Sequence, residues 1–120
     1  MNALAGRRIL VVEDEFLVAA MVEDALLELE AVVVGPAATL AEGLRLATRE
    51  TLDLAMLDVN LNGERSDAIA DVLAARNIPF VRATGYGEAA GRRYGGSVLD
   101  KPYSVERLVA ALERALAAGS

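Results

Sequence analysis

Short apolar runs alternate with stretches of helical period along the chain, and several runs end in a polar residue of marked chemistry. Ile9-Leu10-Val11-Val12 leads into Glu13-Asp14, and Leu54-Ala55-Met56-Leu57 into Asp58. Phe80-Val81-Arg82-Ala83 leads into Thr84, and Val98-Leu99 into Asp100-Lys101-Pro102. Runs this short, bounded by turn formers, read as strands buried on both faces. The predicted strands cover residues 8–12, 31–35, 54–58, 80–83 and 98–100. Pro79 stands where a strand can begin without its missing N–H. Val18, Val22, Ala25, Leu26 and Leu29 share one face of a helix predicted over 15–29. Thr39 and Glu42 have the spacing of a capping box and start a helix that runs to residue 49. Asn60-Leu61-Asn62-Gly63 breaks the pattern, and a helix over 66–76 buries Ile69, Val72 and Leu73. Ser104 caps the last helix, whose stripe is Val105, Leu108, Val109, Leu112 and Leu116. The glycines between residues 85 and 96 allow only a short or irregular fourth helix.

Strand and helix alternate five times, which predicts an α/β fold. Right-handed crossovers make it a flavodoxin-like, doubly wound parallel sheet of order 2-1-3-4-5 with about five helices. In such sheets the carboxyl ends of the strands converge on one edge, where ligands bind. The first and third strands are neighbours, so Asp14 and Asp58 meet there. Lys101 and Thr84 join them from the fifth and fourth strands.

Composition narrows the chemistry. The 120 residues are expected to form one domain over 1–120, with no second domain attached. A hydrophobic share of 54% with 4% aromatics fits a core of small and branched aliphatics. No apolar run approaches the ~20 residues of a membrane span and no signal peptide opens the chain, so a cytoplasmic location is expected. The net charge of -6 disfavours direct nucleic-acid binding, and the Arg7-Arg8 and Arg92-Arg93 pairs read as solvated. With no cysteine and no histidine, thiolate zinc sites, Ser-His triads and cysteine nucleophiles are excluded. Hard, oxygen-liganded cations remain: Mg²⁺, Mn²⁺ or Ca²⁺.

Two adjoining carboxylates repel unless a cation lies between them. Asp14, Asp58 and the backbone carbonyl of Asn60 are the candidate ligands of a Mg²⁺ ion, with Glu13 reaching it through water. Lys101 can pair with Asp58 and then with an oxygen of an arriving phosphoryl group, and Thr84 can donate to another. Such a set supports phosphoryl transfer to Asp58 as nucleophile, with Gly85 leaving room for the donor.

Leu10-Val11-Val12-Glu13-Asp14-Glu15, Leu57-Asp58-Val59-Asn60-Leu61, Ala83-Thr84-Gly85 and Asp100-Lys101-Pro102-Tyr103 together resemble a response-regulator receiver domain over essentially the whole chain. The resemblance implies a Mg²⁺-dependent phosphoacceptor at Asp58, charged by a sensor histidine kinase or a histidine phosphotransferase. It also implies a cis Lys101–Pro102 bond. Output would pass to a separate protein partner, or the domain would drain phosphate from a shared kinase, rather than act as an enzyme. Val98 stands where most receivers carry a switch aromatic. Arg82-Ala83-Thr84-Gly85-Tyr86-Gly87 is similar to the "FAT GUY" subgroup of single-domain receivers, although Arg82 replaces its Phe. Tyr86 and Tyr103 are then the alternative switch residues. Two rival readings are a phosphorylation-independent interaction domain and a haloacid-dehalogenase-type phosphatase. The second usually needs an Asp where this chain has Asn60.

Overall fold

A computed structural model describes residues 2–85 and 97–119. Its elements in chain order are β1 (Arg8–Val12), α1 (Phe16–Glu28), β2 (Val32–Ala37), α2 (Leu40–Arg49) and β3 (Leu54–Asp58). The hairpin strands β4 (Asn60–Leu61) and β5 (Glu64–Arg65) follow, then α3 (Asp67–Ala75), β6 (Phe80–Thr84), β7 (Ser97–Asp100) and α4 (Val105–Gly119). The main sheet has the order β2-β1-β3-β6-β7, with every pair parallel, which is the flavodoxin-like arrangement.

Successive strand residues face opposite sides of the sheet, so an unbroken apolar run feeds two cores. Ile9, Val11, Leu54 and Met56 pack with Leu26 of α1 and Leu112 of α4. Leu10, Val12, Ala55 and Leu57 pack with Leu46 of α2 and Ile69 of α3. The sheet is thereby covered on both faces, and the polar residues that end its strands are left at one edge.

Local differences from the sequence reading have physical causes. β2 begins at Val32 and runs past Gly35 through a cis Gly35–Pro36 bond to Ala37. Its register against β1 slips between Leu10 and Val12, and an edge strand tolerates the proline there. Asn62 and Gly63 both have positive φ, 52° and 91°, which closes a two-residue hairpin turn where only a pattern break was expected. Only half of the capping box forms. Thr39 Oγ1 accepts from the Glu42 N–H at 3.2 Å, while the Glu42 carboxylate pairs with Arg45 instead of reaching back. Arg8 is not merely solvated: it donates to the Thr51 carbonyl at 2.6 Å and to Glu50 at 3.0 Å, tying β1 to the segment before β3. The stretch expected to hold the short fourth helix, and Tyr86 within it, lies outside the described residues. No described helix is long and apolar enough to cross a membrane.

Candidate phosphoacceptor site

β1 ends at Val12, and β3 beside it ends at Asp58, so the residues that follow β1 lie against the carboxyl end of β3. One carboxylate oxygen each from Glu13, Asp14 and Asp58 falls within 4.8 Å of the others. Glu13 and Asp58 are each 1% exposed, so two of the three acids are sealed by the fold.

Each acid is held by backbone groups. Asp58 Oδ1 accepts from the Asn60 N–H at 3.2 Å. Asp14 Oδ2 accepts from the Asn62 N–H at 2.8 Å, so the hairpin tip grips an acid carried by a different strand. Glu13 Oε2 accepts from the Glu15 N–H at 3.2 Å, while buried Glu13 Oε1 has no hydrogen-bond partner among the described residues.

The opposite charge comes from the far side. Thr84 pairs in register with Asp100, and the Lys101 N–H donates to the Thr84 carbonyl at 2.8 Å. The Lys101–Pro102 bond is cis, as the resemblance implies, and Lys101 Nζ lies 2.6 Å from Asp58 Oδ2. Thr84 is buried at the end of β6, and its hydroxyl donates to the Gly85 carbonyl at 3.5 Å. Beneath the cluster, Ser66 Oγ donates to the Asp58 carbonyl at 2.6 Å.

The electrostatics follow from burial. Desolvation pushes Glu13 up to about 8, against the backbone hydrogen bond from Glu15 and aided by the negative charge of Asp58. Burial likewise raises Asp58, and Lys101 offsets only part of that rise. Burial acts upward on Asp14 too, but the Asn62 N–H and hydrogen bonds within the cluster outweigh it and leave Asp14 below its ordinary value. Lys101 loses some basicity to burial and regains more from Asp58, ending above its ordinary value. Three acids against one ammonium leave a surplus of negative charge, and the donors are all oxygen. An orphaned buried carboxylate oxygen completes a setting that fits a hard divalent cation.

The structure thus gathers Glu13, Asp14, Asp58, Lys101 and Thr84 at one edge, with the Asn60 backbone beside Asp58. The Asn60 side chain turns away, its Oδ1 accepting from the Gly63 N–H at 2.7 Å within the hairpin. Tyr103 packs against the core beside the site. Its buried hydroxyl has no hydrogen-bond partner among the described residues. Burial and the charges of Glu13 and Asp58 raise the pKa of that phenol above its ordinary value. Val98 is 44% exposed on β7. Ser66 is a site residue that the sequence reading missed; a serine opening a helix carries only the signal of a cap.

Fold and site together define a receiver domain, and the chain belongs to the CheY-like response regulators of two-component signalling. SdrG from Sphingomonas melonis Fr1 is 43% identical and superposes with a TM-score of 0.80, covering 98% of this chain and 99% of that one. The transcriptional regulatory protein PdtaR of Mycobacterium tuberculosis is 30% identical over 96% of this chain, which spans 59% of PdtaR's length. The CheY-like receiver domain protein of Methanospirillum hungatei JF-1 shares the fold, with 22% identity and a TM-score of 0.84 over 96% of this chain and 97% of that one. No family model matches the chain.

Proposed function

We propose that the chain accepts a phosphoryl group on Asp58 from a phosphohistidine of a sensor kinase or histidine phosphotransferase. The observation that carries this reading is Lys101 Nζ at 2.6 Å from Asp58 Oδ2, inside a cluster of three acids. An Asp58 oxygen attacks phosphorus, the new O–P bond forms as the N–P bond breaks, and the donor imidazole leaves with the electron pair. Lys101 and Thr84 then serve the oxygens of the transferred group, while the Asn60 N–H and Ser66 fix the backbone and carboxylate of the nucleophile. Asp14, Asp58 and the Asn60 carbonyl are the groups to hold Mg²⁺, with Glu13 one shell out. The bound cation would neutralise charge that accumulates as phosphate approaches the acids.

Access supports the same reading. Phe16 and Leu17, in the first turn of α1 next to Glu13 and Asp14, are 82% and 80% exposed, an apolar rim for the donor protein to cover. Output passes by protein contact in the cytoplasm, in the manner of the FAT GUY subgroup, with Tyr103 as the switch aromatic within reach of the site. The Asn60 side chain, committed to the hairpin, weighs against the phosphatase reading.

Incubation with a phosphohistidine donor protein and Mg²⁺ should label the wild-type chain, and Asp58→Ala should remove the label. Label that persists on the variant, or steady turnover of a small phosphoester, overturns the proposal.

A further inference from the structure

Two clefts flank one face of α1, the first against the segment that follows β7 and the second against α4. The first, about 460 Å³, is lined by Val18 and Met21 of α1 with Pro102 and Tyr103, and opens at Glu15 and Lys101 beside the acids. The second, about 340 Å³, has Ala25 and Leu29 of α1 facing Val105 and Val109 of α4. Residues 18, 21, 25 and 29 recur at helical spacing, so both clefts share one face of α1. From Val18 to Leu29 that face spans ~16 Å, or three turns.

The floor of the furrow is aliphatic and its rim is acidic. Glu28, Glu106 and Glu113 line the distal cleft and Glu15 the proximal one. Among the described residues no lysine or arginine lines the distal cleft. Lys101, in the proximal cleft, is paired with Asp58. This charge pattern selects the occupant. Nucleic acid, an anionic bilayer or a second copy of a chain of net charge -6 would set negative charge against the rim. The geometry points to a basic amphipathic helix of a partner protein, its apolar stripe on Ala25, Leu29, Val105 and Val109 and its lysines or arginines on the glutamates. This surface lies outside the acid cluster and goes beyond phosphoacceptance, giving the chain a docking site for a cationic helix.

The test uses the whole chain and an 18-residue amphipathic helical peptide of leucine and lysine, with a leucine–glutamate peptide of the same pattern as control. The lysine peptide should bind in the micromolar range and shift the amide resonances of Ala25, Leu29, Val105 and Val109 most. The double variant Glu28→Lys, Glu113→Lys, at exposed or rim positions, should weaken binding at least tenfold. Glu42→Lys with Glu64→Lys, which changes net charge equally elsewhere, should leave it within twofold. Equal weakening by both pairs, shifts spread over the α2 and α3 face, or equal binding of the glutamate peptide would overturn the inference. So would a dimer that the Glu28, Glu113 pair dissolves. Asp58→Ala should bind the peptide as the parent does, which separates this outcome from the fate of the phosphoacceptor proposal.

Discussion

Glu13 offers a direct measure of what the acid cluster costs the fold when no cation is bound. It is buried, one of its oxygens has no partner among the described residues, and its carboxyl is pushed from an ordinary 4.5 up to about 8. Between those values the folded chain holds a proton that the unfolded chain has released, so stability is full below the lower value and declines as pH rises toward the upper one. From pH 5 to pH 7 the loss works out at roughly 2–3 kcal/mol, at 1.36 kcal/mol per unit of separation. Asp58, also raised, adds in the same direction; Asp14, lowered, acts only in more acidic solution. In EDTA the urea midpoint should therefore fall by roughly 1–2 M across that interval. Glu13→Gln keeps the side chain's volume and removes its proton requirement, leaving only the contribution of Asp58, so its midpoint should fall less with pH than the wild-type midpoint and should exceed it at pH 7. Adding Mg²⁺ at a hundred times its Kd should restore about 2.7 kcal/mol to the wild-type chain. A wild-type midpoint that climbs from pH 5 to pH 7 in EDTA, or a glutamine variant less stable than its parent at pH 7, would refute the reasoning.

Two other substitutions probe separate parts of the arrangement. Lys101→Met leaves the buried Asp58 without its counter-charge; because Lys101 is partly exposed, the cost in EDTA should be about 2 kcal/mol by chemical denaturation. The same variant should transfer phosphate at least tenfold more slowly. Gly35→Ala forces a side chain onto φ +100° and puts its Cβ 2.8 Å from the Ala37 nitrogen. It should lose at least about 2 kcal/mol in thermal melts while phosphorylation of the surviving folded protein is unchanged.

The acids, the lysine and the threonine were legible in the sequence for a simple reason. A strand covered on both faces seldom carries a charge, so Asp58 after the apolar Leu54–Leu57 marks the strand's end and the sheet's edge. Ser66 was not legible, because a serine before a helix suits a cap. In the fold its hydroxyl donates to the Asp58 carbonyl, and no side-chain cap bond forms. The β4–β5 hairpin is too short for an alternating pattern, and only Asn62-Gly63 hints at it. The extension of β2 was hidden by Gly35-Pro36, a pair that ordinarily signals a strand's end. The furrow escaped because Val18, Ala25, Leu29, Val105 and Val109 read as core stripe, whereas the two helices leave those positions only half covered.

The Asn62 amide on Asp14 has a consequence for how such sites diversify. If the acids hold a cation as proposed, its affinity would depend on where a two-residue turn places one N–H, so lengthening that tip should weaken the ion's hold while every acid stayed the same. Tip length would then tune ion dependence without any change of carboxylate.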